Sequence, residues 1–201
     1  MTNPASGLRE RKKARTRASL RGHALRLFRE QGYAATTVEQ IAAAAEVSPS
    51  TFFRYFPTKE DVVLQDDMDA RMLETLDRQP PEMSPIAAIR AAWRDAIASL
   101  GPEELETFRG STELSLTVPE VRARAMDEFA RTIDVMGEAI ARRAGRSGRD
   151  MNARVLAGAV IGVIMSVTMP WSEFAAGEGN VRDLFGRIDE GLALLESGLP
   201  L

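Results

Sequence analysis

Residues 48–56, SPSTFFRYF, combine side chains that bind the groups exposed on double-stranded DNA. Arginine donates paired hydrogen bonds to guanine, serine and threonine bond bases or phosphates, and an aromatic ring contacts the thymine methyl group. At helical spacing these side chains fall on one face and its edges: Ser50, Thr51, Phe53, Arg54 and Tyr55. Phe52 and Phe56 share the opposite face, which we predict to be anchored in a core.

Groups that attract phosphate are predicted around this face. Thr37 and Ser48 each lie at a predicted helix N-terminus, and Lys59 lies near the start of a further helix, where backbone N–H groups bind anions. A basic arm upstream is expected to contact the DNA backbone or minor groove: Arg11, Lys12, Lys13, Arg15 and Arg17. A solvated tail accounts for these charges equally well.

The charge distribution favours a polyanionic partner at the N-terminal end only. The 201 residues carry a net charge of −3, but residues 1–60 hold 11 Lys and Arg against 5 Asp and Glu. Residues 61–201 hold 15 against 24. A basic end on an acidic chain indicates that only one part of the protein meets DNA.

Few residues are suited to enzymatic chemistry. The chain has one histidine, His23, and no cysteine, and its pattern contains no metal-ligand cluster, nucleophile–base pair or glycine-rich phosphate loop. We therefore expect no enzyme activity, no cofactor and no metal. A small α-helical enzyme remains the weakest alternative.

The same composition indicates the compartment. A chain without cysteine suits a reducing environment, and the polar N-terminal segment lacks an apolar signal core. The longest apolar run, residues 155–169, is shorter than the roughly 20 residues of a membrane span. We expect a cytoplasmic protein with no membrane partner, in which this run is a buried helix.

The elements that position these side chains are predicted to be helices throughout. Caps, breakers and apolar spacing predict an all-α chain of about nine helices at residues 9–31, 38–45, 48–56, 58–78, 84–100, 102–116, 119–144, 150–169 and 181–197. Thr37 and Gln40 are expected to form a capping box, and Pro49 to begin the third helix.

The first three helices make a helix-turn-helix. Two short helices are joined by a three-residue turn and preceded by a longer helix. The third helix is too short to persist alone, so it must dock on the others.

The segment from Arg17 to Asp61, which contains ALRLFREQGYAATTVEQIAAAAEVSPSTFFRYFPTKED, resembles the DNA-binding domain of tetracycline-repressor (TetR) family regulators. The resemblance implies an all-α protein of two domains, with residues 1–57 for DNA binding, including the basic arm, and residues 58–201 for ligand binding and dimerisation. The dimer is expected to form through the last two helices. The resemblance also implies release from operator DNA when a small molecule binds the C-terminal domain. Further along, LTVPEVRARAMDEF is similar to the subgroup containing mycofactocin-system regulators.

The resemblance also implies site residues. Family DNA-contact positions fall on Ser48, Ser50, Thr51, Phe53, Tyr55 and Lys59, and the family phosphate position at a helix cap falls on Thr37. Two positions depart from the family pattern. Glu46 stands where glycine is usual and is expected to adopt a positive φ, and Phe53 replaces a tyrosine and its hydroxyl.

The second domain is less informative. Apolar, adaptable side chains that suit a hydrophobic effector are Trp93, Phe108, Met126, Phe129, Met136, Met165 and Trp171, although an ordinary core is the favoured interpretation of each. Arginines at 142, 143, 146 and 149 offer a grip for an acyl-CoA-like head group, or a solvated helix end. The small-residue spacing of Gly158 and Gly162 indicates close helix packing, with a homodimer interface favoured.

The sequence therefore predicts a homodimeric repressor that binds a pseudo-palindromic operator and responds to a ligand. An architectural DNA binder without sequence preference is the alternative.

Overall fold

The computed structural model describes residues 4–65, 68–169 and 180–199, with side chains described from residue 11 onward. All regular structure in these ranges is α-helical, which confirms the predicted fold class. The helices are α1 Pro4–Gln31, α2 Val38–Ala44, α3 Pro49–Tyr55, α4 Asp61–Leu64, α5 Met68–Arg78, α6 Pro85–Ala98, α7 Pro102–Thr117, α8 Pro119–Arg143, α9 Met151–Thr168 and α10 Val181–Glu196.

One predicted helix is wrong. The continuous helix expected over residues 58–78 ends at Leu64, where Gln65 leaves the helical region with φ −82° and ψ 83°. A second helix begins at Met68, so the described ranges hold ten helices rather than nine. Helix α4 closes with Gln65 N donating to Asp61 O at 2.9 Å, a break that no helix breaker in the sequence indicated.

The chain divides into two compact units, 1–65 and 66–201. In the first unit, helices α1 to α4 enclose a small apolar core whose fully or almost fully buried side chains include Leu20, Ala24, Phe28, Ile41, Phe52, Phe56 and Val62. Since α4 packs against α1, it belongs to this unit by its contacts. The assignment of ligand binding and dimerisation to the second unit stays a prediction.

The second unit is a bundle in which α5 packs on α6, α8 on α7 and α9, and α10 on α6 and α9. Its core joins buried side chains from α5, α6, α8, α9 and α10. Charged side chains link two of these helices at the surface, because Arg90 and Arg94 of α6 bind Asp189 of α10 and Arg90 also binds Glu196.

Helix α9 is less buried than predicted. One of its faces packs on α8 and α10 through Ala153, Ala157, Val160 and Ile161, but Met151 and Val155 are 71% and 62% exposed. The helix is long and apolar enough to cross a bilayer, although core and interface helices of soluble proteins meet the same criterion. The prediction of a buried helix therefore holds for one face only within this chain.

Candidate nucleic-acid interface

The N-terminus of α2 has the predicted capping box. Thr37 Oγ1 accepts a hydrogen bond from Gln40 N at 3.2 Å, and Gln40 Oε1 accepts one from Thr37 N at 2.9 Å. Gln31 Nε2 also donates to Gln40 Oε1, at 2.9 Å, so the end of α1 is joined to the start of α2. These bonds satisfy orphan donors and fix where α2 begins.

The turn between α2 and α3 depends on Glu46. Its φ is +55°, as predicted, which places an exposed non-glycine residue in the left-handed region. Val47 N then donates to Ala42 O at 2.9 Å and completes the close of α2. Glu46 therefore holds local backbone strain in the short turn that joins α2 to α3 in the helix-turn-helix.

A group of hydroxyls lies at the start of α3. Ser48 Oγ accepts a hydrogen bond from Thr51 N at 3.2 Å, which caps the helix, and Pro49 occupies the first helical position as predicted. The same oxygen lies 2.8 Å from Ser50 Oγ and 3.0 Å from Thr51 Oγ1. Three exposed or half-buried hydroxyls thus lie together at the start of α3, a combination suited to a phosphate oxygen or a base edge.

The two faces of α3 are separated as the spacing predicted. Phe52 and Phe56 are completely buried, with ring centroids 5.7 Å apart. Phe53 is 51% exposed. Its ring is nearly perpendicular to the Phe52 ring, and the two ring centroids are 5.5 Å apart. Arg54 is exposed and its guanidinium carbon lies 5.4 Å from the Tyr55 ring centroid. The arrangement offers a guanidinium and an aromatic ring to solvent from a firmly anchored helix.

Lys59 is engaged within the unit rather than extended into solvent. Its Nζ donates to Tyr33 O and Thr36 O, both at 3.0 Å, and lies 4.0 Å from the Tyr33 ring centroid. The Tyr33 hydroxyl donates to Glu60 Oε1 at 2.5 Å. Burial disfavours the ionised Glu60 side chain, but this bond and the Lys59 charge outweigh it and lower the pKa of Glu60. Contact between Lys59 and phosphate stays a prediction.

The basic arm is a continuation of α1. Four of its predicted contact residues, Arg11, Lys12, Lys13 and Arg15, are exposed. Arg17 instead packs inside the unit, where it donates to Gln65 O at 3.0 Å and lies 5.5 Å from the Phe56 ring centroid. The sequence did not reveal this role, because it depends on a residue 48 positions away.

The predicted effector residues are only partly brought together. Trp93 and Met136 are buried, Phe108, Phe129 and Met165 are partly buried in the same core, and Met126 is 38% exposed. Trp171 lies outside the described residues. A cavity of about 170 Å³ between α5 and α8 has Met72, Leu73, Val135 and Met136 among its lining, and Asp69 and Thr132 at 3.2 Å from each other. Sequence reasoning missed Met72, and also Phe185, whose ring packs against Trp93 and Phe108.

The arginines around residues 142–149 have individual roles. Arg143 crosses to the end of α5, where it donates to the carbonyl oxygens of Leu76, Gln79 and Pro80. Arg146 pairs with Asp150 at 3.1 Å. Arg143 therefore acts as a cap for α5, which is neither a solvated helix end nor an anion grip.

The glycines of α9 make no close contact inside the chain. A Cβ built at Gly158 or Gly162 meets no atom within 4 Å among those described. The close approach occurs elsewhere, because a Cβ at Gly191 would lie 2.6 Å from Val163 Cγ1. Intrachain packing thus uses a glycine that the small-residue spacing did not indicate.

An anchored α3 that follows a tight turn from α2 defines a helix-turn-helix regulator on an all-α scaffold. Residues 22–65 match the model of bacterial regulatory proteins of the tetR family, and residues 83–200 match the MftR C-terminal domain. The chain belongs to the TetR family of transcriptional regulators, and its N-terminal unit is the DNA-binding domain.

Relatives and solved structures agree with this assignment. The transcriptional regulator TcmR of Streptomyces glaucescens is 39% identical over 150 residues, 73% of this chain and 66% of that protein. The putative mycofactocin biosynthesis transcriptional regulator MftR of Mycobacterium tuberculosis is 28% identical over 150 residues, 74% of this chain and 75% of that protein. The chain thus spans about two thirds to three quarters of these relatives.

One similar solved structure is the Thermus thermophilus repressor FadR in complex with lauroyl-CoA. It has a TM-score of 0.55 and 28% identity, and the match covers 92% of this chain and 95% of that one. The repressor SmeT of Stenotrophomonas maltophilia has a TM-score of 0.53 at 23% identity, with 88% of each chain covered, and supports the fold.

Proposed function

We propose that the protein is a homodimeric, cytoplasmic transcriptional repressor that binds a pseudo-palindromic operator and leaves it when a small apolar effector binds. The observation that carries the DNA part is the division of α3. Two fully buried phenylalanines hold the helix, while Ser50, Phe53 and Arg54 remain available to base edges.

The proposed dimer forms through α9 and α10. Support comes from apolar side chains that no described residue covers: Met151, Val155 and Leu194 are 71%, 62% and 53% exposed. The open positions at Gly158 and Gly162 allow a second helix to approach α9 closely. An apolar face of this kind on a water-soluble fold is typical of a subunit interface.

A dimer would bring two copies of α3 to the operator, which strengthens the binding that one short helix provides. Two copies of α3 would occupy successive major grooves, so the half-sites would lie about 34–36 Å apart. The effector would act by binding more tightly to a conformation in which the two copies of α3 no longer match that spacing. No effect on operator binding follows from a ligand with equal affinity for both states.

The effector is proposed to be apolar because the second unit has an aliphatic core that also contains Met72, Trp93, Met136 and Phe185, and methionine side chains adapt to inserted groups. The Thermus protein binds lauroyl-CoA, whose chain is apolar. An anionic head group of that kind finds less support here, since Arg143 and Arg146 already have partners.

Selection of bound fragments from the host genome, followed by footprinting, tests this function. We expect a protected pseudo-palindrome, and genes beside it that indicate the effector. Equal affinity for unrelated duplexes at matched salt would instead support the architectural DNA binder.

A further inference from the structure

Trp93 carries a buried donor that makes no hydrogen bond with the described residues. The residue is 7% exposed on α6, and its Nε1 has no acceptor in the part of the chain that the structure describes. Buried tryptophan N–H groups usually find an acceptor, because leaving one unmade is costly. A phenylalanine would also bury an aromatic ring here, with a smaller volume but without an unmade donor, so the indole N–H has no explanation in packing.

The surroundings of Trp93 come from three helices. The Phe185 ring of α10 meets Trp93 edge-on with centroids 5.7 Å apart, and the Phe108 ring of α7 lies 4.9 Å from Phe185. Thr112, one helical turn after Phe108, is 8% exposed and adds a hydroxyl to the buried part of α7. The three aromatic rings form an apolar cluster in which the indole N–H is a polar group.

The charge of this interior limits what it accepts. Among the described residues of the second unit, the buried polar side chains are the hydroxyl residues Thr75, Ser111 and Thr112, and no charged residue is buried. A charged ligand group placed there would have no counter-charge and would lose its hydration. The interior therefore favours a neutral molecule.

We propose that Trp93 Nε1 is the donor that binds the effector, and that the effector is a neutral, largely apolar molecule whose carbonyl or ether oxygen accepts this bond beside Phe108 and Phe185. This inference rests on the proposed ligand-responsive function. The hydrogen-bond acceptor is then the chemical feature that distinguishes an effector from an apolar molecule of the same size. Because Phe185 belongs to α10, the bound molecule contacts a helix of the proposed dimer interface directly.

The test uses two probes of equal shape, acetophenone and α-methylstyrene, which differ by C=O against C=CH₂. A plain apolar core favours the alkene, which is the more hydrophobic of the two. We expect calorimetric titration of the full-length protein to show acetophenone binding about tenfold more tightly, because only the ketone accepts the indole hydrogen bond. Trp93→Phe is expected to abolish or reverse this preference.

A stability measurement separates binding from packing. If Trp93 served only the core, Trp93→Phe would lower the thermal midpoint by removing buried surface. We expect a midpoint equal to or above that of the native protein, because the variant no longer buries an unmade donor.

Three results would overturn the inference: equal affinity for the two probes, a ketone preference that survives Trp93→Phe, or binding of neither probe at saturation. The proposed function has a separate readout, release of a footprinted operator. Ketone binding through Trp93 without operator release would leave the inference standing and contradict the effector mechanism. Operator release by ligands that are indifferent to Trp93→Phe would do the reverse.

Discussion

Lys59 contacts both the side chain and the backbone of Tyr33. Its Nζ lies 4.0 Å from the centroid of the tyrosine ring and donates a hydrogen bond to the tyrosine carbonyl oxygen at 3.0 Å. The second carbonyl bonded to the ammonium group is that of Thr36, just before α2. Lys59 therefore fastens the loop between α1 and α2 to the turn after α3, and a lysine expected to serve DNA also supports the fold of the reading unit.

Replacing Lys59 by methionine tests this support. The variant keeps an apolar stem but loses the charge and three contacts, so we expect the free energy of unfolding to fall by about 1–2 kcal/mol. Chemical denaturation measures it. Lys12→Met, at an exposed position of α1, is the matched control and should leave stability nearly unchanged. A Lys59 variant as stable as its control, but defective on DNA, would show a phosphate role alone.

Phe53 is predicted to read a thymine methyl group. Replacing the relevant thymine of the operator by uracil removes only that methyl, so the native protein should lose about 1 kcal/mol of binding, within the range for a base contact. Phe53→Ala should bind the two operators equally. Uracil insensitivity of the native protein at every thymine would contradict the contact.

Arg54 gives a second prediction on the same helix. If its guanidinium bonds guanine, Arg54→Ala should cost about 1–3 kcal/mol and relax preference at one base pair. Competition binding against a set of single-base operator variants measures both effects. Uniform weakening on every sequence would mean that Arg54 binds phosphate instead.

Val155 tests the dimer. A glutamate there would place a charge in the proposed interface, so Val155→Glu should shift the protein towards monomer in sedimentation experiments. Ala123→Glu, at an exposed position of α8, is the control and should leave the assembly intact. Unchanged mass for both variants would mean that this face of α9 is not an interface.

Asp189 predicts a dependence of stability on acid pH. Burial disfavours its charge, but Arg94 and Arg90 outweigh burial and lower the pKa of Asp189. Because the folded-state pKa is below the unfolded value of about 3.9, the carboxylate stabilises the fold above that pH and ceases to do so as pH falls through the folded pKa.

Asp189→Asn should therefore be less stable than the native protein at neutral pH, and the difference should shrink in acid. Denaturation curves from about pH 6 to pH 3 measure this. Asp77→Asn, at an exposed position of α5, is the control. Parallel curves for Asp189→Asn and the native protein would contradict the prediction.

Local features of the reading unit were predictable because they depend on neighbours in the chain. The Thr37–Gln40 box, the Ser48 cap and the two buried phenylalanines follow from spacing of three or four residues. The positive φ of Glu46 followed from the family pattern, in which glycine is usual at this position.

Features that depend on distant partners were not predictable in this way. Arg143 reaches carbonyls more than 60 positions away, and its position in a basic cluster suggested an anion site. The sequence around Gly191 did not indicate that α9 packs closely against this position of α10. The hydrogen bonding of the predicted effector residues was not predictable either, because a tryptophan in a core pattern does not show whether its N–H has an acceptor.

The contact at Gly191 also bears on how such proteins diversify. A single added methyl group would lie 2.6 Å from Val163 Cγ1, so any replacement there requires the Val163 side chain or the two helices to shift. A saturation library at this codon should retain glycine under selection for repression, whereas a library at an exposed codon such as Ala123 should remain diverse. When proteins of this kind change their effector, we expect the rings around Trp93 to vary and Gly191 to be retained.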